Sequence, residues 1–293
     1  MKLKILTFSA CLMVSILPAS ADSEAPVWSL SASGSWSEVA DADQDATSAS
    51  VSLSRQVGDG SIGVSLAGSG GSGSPFDTFE TTDQSNAFGS VWVYWPVGLV
   101  DLSVGVTLGQ ETFDGRAEIQ DTRFGAFDGA TAELESDVDS LSFDASVSRT
   151  FFRGQWDIIP SASLGWSQSE TQTKASTIGN VADSISVENE ETGWTATLGI
   201  GVGYLLGERT YLFSDLVGVY AENGASSGIA TPSRLGGLRT TSRQEAASVN
   251  WADISGGASF DLTDAVTLSV SGGTTVGRDE EEIFATTSLS LGF

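Results

Sequence analysis

The chain has 293 residues, with 13 Lys and Arg against 38 Asp and Glu, so its formal net charge is −25; it contains no histidine. Such an acidic chain is repelled by phosphate groups, which excludes a role in binding nucleic acid. With 34 glycines and one cysteine, the composition favours strands and turns over helices and allows no disulfide within the chain.

The N-terminus has the order of a secretory signal peptide. Two lysines precede a long apolar run, and a small-residue cleavage motif ends at Ala21. We therefore predict that residues 1–21 are removed and that residues 22–293 form a single domain. A lipoprotein signal around Cys11 is the alternative interpretation of this segment. Without the two N-terminal lysines, 11 of the 13 basic residues remain against 38 acidic residues, a net charge of −27.

After Ala21, no apolar run reaches the roughly 18 to 20 residues that a spanning helix needs. The sequence instead alternates with a period of two in about twelve segments, separated in turn by short turns and long polar loops. The predicted strands centre on residues 28–36, 49–53, 62–66, 87–95, 100–108, 141–147, 156–166, 194–204, 210–221, 252–260, 266–276 and 283–293. The predicted loops cover about 37–45, 68–85, 112–138, 168–191, 222–245 and 279–282, and they hold most of the acidic residues.

The fifth predicted strand shows the clearest alternation. Its aliphatic side contains Val100, Leu102, Val104, Val106 and Leu108, whereas Asp101 and small or polar residues occupy the other side. Such a strand suits a wall with lipid on one face and water on the other. An even number of strands, with short turns at one end and long loops at the other, predicts an all-β fold: an up-and-down antiparallel membrane barrel. A soluble β-sandwich is the alternative.

Two strands carry irregularities. Pro160 lacks a backbone donor, so we expect a bulge in the seventh strand. Trp156 and Trp166 flank that strand, at the two levels where interfacial aromatic girdles lie. In the ninth strand, Asp215 shares a face with Tyr211, and a second bulge is possible there. The residues assigned to the lipid side of the ninth strand are Leu212, Leu216 and Tyr220.

The final strand alternates up to the last residue, with Leu289, Leu291 and Phe293 on its apolar face. This ending resembles the terminal strand of Gram-negative outer-membrane barrels, whose alternating apolar residues and final Phe are read by the barrel assembly machinery. The resemblance implies a bacterial outer-membrane location, with membrane lipid, lipopolysaccharide and that machinery as partners.

Twelve strands over residues 22–293 are also similar to the translocator domain of autotransporters. Members of that family carry a secreted passenger and a linker helix. Here only Asp22 to Pro26 separate the predicted cleavage site from the first strand. We therefore expect a free-standing barrel of similar build, without a passenger.

The residue types argue against catalysis. Without histidine or a mature thiol, and with Lys174 as the single mature lysine, the usual general bases and nucleophiles are missing. We expect no catalytic residues and no enzyme activity. A surface hydrolase based on paired carboxylates is a further alternative, although no spacing points to such a pair.

Two groups of charged residues suggest ion binding. Asp41, Asp43 and Asp45 alternate in the first loop and could bind Ca²⁺ weakly, although the glycine and glutamate of a complete calcium loop are absent. No other cofactor is expected. The basic residues of the fifth loop, which could meet lipopolysaccharide phosphates or acidic loops, are Arg234, Arg239 and Arg243.

Four acids are predicted to face the interior of the barrel: Asp101, Asp144, Asp157 and Asp253. Carboxylates along a water-filled bore favour cations over anions. The same acids could instead solvate a bore that an inward-folded loop fills, and both alternatives stay open. The sequence thus predicts a non-enzymatic outer-membrane barrel, either a small porin-like passive channel or a surface structural protein, with a translocator-like module as the alternative.

Overall fold

The computed structural model describes residues 8–12, 27–39, 44–72, 81–119, 130–178, 184–222, 231–232, 238–242, 249–277 and 282–293. Twelve long strands form the wall: β1 (Trp28–Val39), β2 (Gln44–Val57), β3 (Gly60–Ser72), β4 (Thr81–Val97), β5 (Val100–Ile119), β6 (Ala130–Ser148), β7 (Trp156–Ile178), β8 (Ser184–Leu206), β9 (Thr210–Ala221), β10 (Val249–Asp261), β11 (Val266–Val276) and β12 (Glu282–Gly292). The short strand Phe151–Arg153 continues the line of β6 beside β7.

The wall closes on itself. Each strand pairs antiparallel with the next, and β12 pairs with β1 over their whole length, from Glu282 opposite Val39 to Gly292 opposite Ser29. At the seam, the backbone N–H groups of Trp28 and Phe293 each donate to the other residue's carbonyl, with both N···O distances 2.9 Å. The prediction of an all-β, twelve-stranded antiparallel barrel is confirmed.

The two ends of the barrel differ. At one end, called the turn end, tight turns use glycines with positive φ, namely Gly58, Gly98, Gly154 and Gly207. The left-handed backbone of these turns suits residues without a Cβ atom. The opposite end is called the loop end, because the sequence predicts the long loops there.

The strands extend further toward the loop end than the sequence predicts. The predicted loops at 112–138 and 168–191 are wrong for most of their length, because β5 to β8 run for 20, 19, 23 and 23 residues. These extensions alternate Ser, Thr and acidic residues, so they lack the apolar face by which a strand is recognised. Each extension still pairs residue by residue with a neighbouring strand, and that pairing keeps it extended. Residues 120–129 and 179–183 lie outside the described residues.

Neither predicted bulge occurs. Around Pro160 the register continues from the pair Ser148 and Ser161 to the pair Phe151 and Ile158, with equal numbers of residues between them on both strands. The missing N–H of Pro160 interrupts the ladder locally and does not shift it.

In β9 the register is also unbroken on both sides. Tyr211 and Asp215 face inward. The predicted outward residues Leu212, Leu216 and Tyr220 are exposed on the outer side.

The outer surface carries an apolar belt between two levels of aromatic side chains. Trp156 lies near the turn end of β7, whereas Trp166 lies ten residues further along the same outer face, opposite Trp194. Ten residues span about 33 Å along a strand, or about 25 Å along the axis at a tilt of about 40°. The belt therefore has the height of a bilayer's hydrocarbon region.

A second, small sheet joins Phe8–Leu12 to Leu238–Ser242, which also pairs with Thr231–Pro232. The first of these strands belongs to the segment that we predict to be removed. The structure does not test cleavage after Ala21, which stays a prediction. Among the described residues, no helix is long and apolar enough to cross a membrane.

The outward-facing position of Val104, which is 54% exposed at the centre of the aliphatic stretch from Val100 to Leu108 in β5, gives a first test. We expect Val104→Arg to destabilise the refolded barrel by about 2 to 4 kcal/mol, because a cation at mid-bilayer is costly. Urea unfolding in lipid vesicles, followed by heat-modifiable gel migration, measures the change. Val104→Leu is the matched control and should leave the unfolding midpoint unchanged. Equal stability of both variants would show that β5 does not face lipid.

Candidate functional site

The inner face of the barrel is the candidate site, and one side of it is lined by serines. Ser31, Ser33 and Ser35 of β1 are hydrogen-bonded through their hydroxyls to Ser52, Ser50 and Ser48 of β2, with O···O distances of 2.5, 2.6 and 2.6 Å. The same row continues to Ser290 and Ser288 on β12. Such small hydroxylated side chains pair with one another and project little into the bore, so this wall is smooth and polar.

The remaining inner face carries larger side chains, several of which lie flat across a neighbouring glycine. Trp92 of β4, 2% exposed, covers Gly63 of β3 so closely that a Cβ atom at Gly63 would overlap the indole ring. Phe213 covers Gly257 in the same way, and Phe284 covers Gly273. Glycine at these places lets a ring lie along the wall instead of pointing across the bore.

The most enclosed of these arrangements joins Asp157 and Tyr211 near the turn end. Asp157 is fully buried, and the Tyr211 hydroxyl donates to its carboxylate, with distances of 2.9 and 2.8 Å to Oδ1 and Oδ2. Tyr211 and Asp157 lie on β9 and β7, on either side of β8, so the tyrosine must reach across Gly203. A buried carboxylate is stable only with such partners.

The structure places all four predicted interior acids on the inner side of their strands. Asp101 accepts a hydrogen bond from the Tyr94 hydroxyl at 2.8 Å, and Asp253 accepts one from the Thr275 hydroxyl at 2.7 Å. Asp144 lies beside Gly165 of the next strand. The acids belong to four different strands, and none of them faces another in the register. They therefore spread negative charge over four strands of the wall.

Several other inner-face residues were not predicted from the sequence. Gln84, Asn86 and Glu111 lie on the extensions of β4 and β5 that were predicted as loops or left at a loop boundary. Glu282, predicted in a loop, also faces inward, whereas the inward position of Asp215 agrees with the outward assignment of Leu212 and Leu216. Continuing the period of two past Gly109 and back from Ala87 would have found the first three.

The weak calcium prediction is not tested by the structure. Asp41 and Asp43 lie outside the described residues, and Asp45 is paired in β2 with Glu38 and Ser72. Among the described residues, no cluster of three or more His, Cys, Asp or Glu could hold a metal ion.

The remaining predicted residues have these positions. Arg239 is paired in the small sheet, whereas Arg234 and Arg243 lie outside the described residues. The three residues of the predicted assembly signal, Leu289, Leu291 and Phe293, point outward. Their role in assembly stays a prediction.

No protein-family model matches the chain, and no curated protein matches it. Solved structures do. The translocator domain of the autotransporter NalP from Neisseria meningitidis matches with a TM-score of 0.70 and 10% identity, over 91% of this chain and 88% of that one. The chain has an outer-membrane β-barrel fold.

Two further structures support this barrel fold. The β domain of the Bordetella autotransporter BrkA matches with a TM-score of 0.66 and 12% identity, over 92% of this chain and 100% of that one. The Ralstonia pickettii toluene transporter TbuX matches with a TM-score of 0.53 and 8% identity, over 92% and 90%. The barrel thus has the architecture of autotransporter translocator domains, as the sequence predicts, and shares its general fold with a transporter.

The place where the Tyr211 side chain crosses Gly203 gives a second test. Gly203→Ala places a Cβ atom onto the Tyr211 hydroxyl and the Asp157 carboxylate, so it must break their hydrogen bond or move a strand. We expect a loss of about 1.5 to 3 kcal/mol, the value of a hydrogen bond to a charged group, measured as the urea unfolding free energy. Gly218→Ala is the control, because its Cβ atom would have as its nearest contact the Leu198 carbonyl at 3.8 Å. Equal losses in both variants would contradict the packing described for Tyr211.

Proposed function

We propose that the chain is a non-enzymatic, integral outer-membrane barrel that lets small polar solutes pass passively and prefers cations to anions. The observation that carries this proposal is the one-signed charge of the inner face. Its described acidic residues are Asp101, Glu111, Asp144, Asp157, Glu191, Asp215, Asp253, Asp261 and Glu282.

Of the basic residues described in the twelve long strands and the tight turns between them, none faces these acids from inside. Arg55 stacks over outward-facing Trp28, Arg149 lies over the Phe151 ring, and Arg209 pairs with Asp264 at a turn, at 3.1 Å. Arg116 pairs with Glu133 at 3.0 Å on the outer side of the wall. A bore lined by carboxylates and hydroxyls lowers the barrier for cations and raises it for anions.

The orientation follows from the two ends of the barrel. In outer-membrane barrels short turns face the periplasm and longer loops face outside, so the turn end, with Trp28 and Phe293, is proposed to face the periplasm. The belt of outward aliphatic residues would contact membrane lipid, and the loop end would lie among lipopolysaccharide headgroups. Leu289, Leu291 and Phe293 would serve recognition by the barrel assembly machinery.

The interior acids do not support the alternative of a carboxylate hydrolase. A glycosidase needs two carboxyl groups about 5 to 9.5 Å apart across the reacting bond. Three acids of the inner face, Asp101, Asp157 and Asp253, instead accept hydrogen bonds from Tyr94, Tyr211 and Thr275. These arrangements suit charge along a channel better than acid–base chemistry.

Conductance measurements test the proposal. The refolded full chain in a planar bilayer should show discrete conductance steps, and a KCl gradient should give a reversal potential of the sign for cation preference. Absence of conductance in correctly folded barrels would refute the channel and favour a structural role.

A charge variant sharpens the test. A unit charge about 8 Å away in water is worth about 0.5 kcal/mol. Asp144→Asn should therefore lower the ratio of K⁺ to Cl⁻ permeability about twofold. Glu170→Gln removes a carboxylate on the outer face of β7 and is the control, which should leave the ratio unchanged. Equal effects of the two variants would contradict the assignment of Asp144 to the bore.

A translocator-like module is the second candidate, favoured by the similarity of the whole barrel to two translocator domains. A reporter peptide fused ahead of Trp28 separates the two roles. Protease-accessible reporter on the cell surface would support translocation, whereas reporter retained in the periplasm, together with cation-selective conductance, supports the passive channel.

A further inference from the structure

A row of polar side chains crosses three strands of the inner wall near the loop end. Ser69 of β3 lies opposite Asn86 of β4, and Asn86 lies opposite Glu111 of β5. Gln84, the next inner-face residue of β4, donates a hydrogen bond through its Nε2 to Glu111 Oε1. These four side chains, called the polar row, all face the inside of the barrel.

The polar row is buried and incompletely hydrogen-bonded. Gln84 is 5% exposed and Asn86 is 6% exposed. Within the described part of the chain, Asn86 Nδ2 and Oδ1, Gln84 Oε1 and Ser69 Oγ have no hydrogen-bond partner. An unmet buried polar group is costly. Four such atoms side by side therefore mark a place built to receive hydrogen bonds from something other than the wall.

The unmet atoms define the chemistry of the missing partner. Gln84 Oε1 and Asn86 Oδ1 need donors, whereas Asn86 Nδ2 needs an acceptor. A bare metal ion would satisfy only the oxygen atoms. A hydroxyl group both donates and accepts, so neighbouring hydroxyls on one solute can satisfy both atoms of the Asn86 amide and reach Gln84 and Ser69.

Aromatic rings flank the polar row on the same inner face. Phe88 follows Asn86 by two residues on β4 and lies over Gly109, and Phe113 of β5 is opposite Gln84. Flat apolar rings next to a few polar groups suit a solute with both hydroxyls and C–H faces. The Glu111 carboxylate, in turn, disfavours a solute that carries negative charge.

We propose that Ser69, Gln84, Asn86 and Glu111 form a binding station for a small polyhydroxylated, sugar-like solute that is neutral or positively charged. The station lies just beyond Leu108, the last outward aliphatic residue of β5, so it is close to the loop-end mouth of the bore. This inference rests on the proposed function, because the solute reaches the polar row only if the bore is open to it.

Three probes with a common ring test the station: D-glucose, D-glucosamine and D-glucuronate, titrated calorimetrically into the detergent-refolded full chain. We expect glucose and glucosamine to bind and glucuronate not to bind. Asn86→Asp keeps the shape of the side chain but replaces its donor, and should weaken glucose binding about tenfold. Glu111→Gln should admit glucuronate. Ser163→Ala, which removes a hydroxyl paired with Thr197 at 2.6 Å elsewhere on the inner face, is the control and should bind glucose normally.

The contrary outcomes are distinct. No heat with any sugar, from a chain shown to be folded by heat-modifiable migration, would mean that ordered water alone satisfies the polar row. Binding of CaCl₂ that Glu111→Gln abolishes, without sugar binding, would mean a cation site instead. Equal glucose affinity in Asn86→Asp would also overturn the station. Cation-selective conductance in the absence of sugar binding would refute only this inference, whereas sugar binding without conductance would refute only the channel.

Discussion

The structure depends on one constraint: inside hydrocarbon no water is present to satisfy backbone N–H and C=O groups, so every strand needs two neighbours. The pairing of β12 with β1 meets this requirement, because it removes the last two free edges of the sheet. Reciprocal backbone bonds between Trp28 and Phe293 carry the closure to the end of the wall. Alternation of apolar and polar residues then decides which side of the closed wall meets lipid.

The inner face of the twelve-stranded wall carries small side chains on some strands and large side chains on others. On β1, β2 and β12, serines bonded to one another keep the wall thin and smooth. Elsewhere, rings such as Trp92 and Tyr211 fold down over Gly63 and Gly203. Because glycine has no Cβ atom, a large side chain from a neighbouring strand can lie flat against the wall at that position. The glycines of this chain therefore serve side-chain packing on the inner face as well as the tight turns.

The sequence allowed the wall to be predicted where lipid imposes a pattern on it. In β5, from Val100 to Leu108, every second residue is aliphatic, as expected of a face that meets hydrocarbon. Beyond Leu108 the outward residues of β5 are polar or charged, so the apolar signal ends although the strand continues to Ile119. The same loss of signal hid Gln84, Asn86 and Glu111. The interior acids could be placed by parity, but their partners could not, because Tyr211 and Asp157 meet across an intervening strand.

The extended strands also carry acidic residues on their outer face. Asp139, Glu170 and Glu190 lie opposite one another across β6, β7 and β8. Like charges directly opposite are unfavourable, and solvent exposure with a Gln168 to Glu190 hydrogen bond of 2.6 Å moderates the repulsion. These carboxylates point away from the bore, where solvent and salt screen them. In the proposed channel, discrimination against anions would therefore depend on the acids of the inner face, which lie on several strands and do not form a single ring of charge.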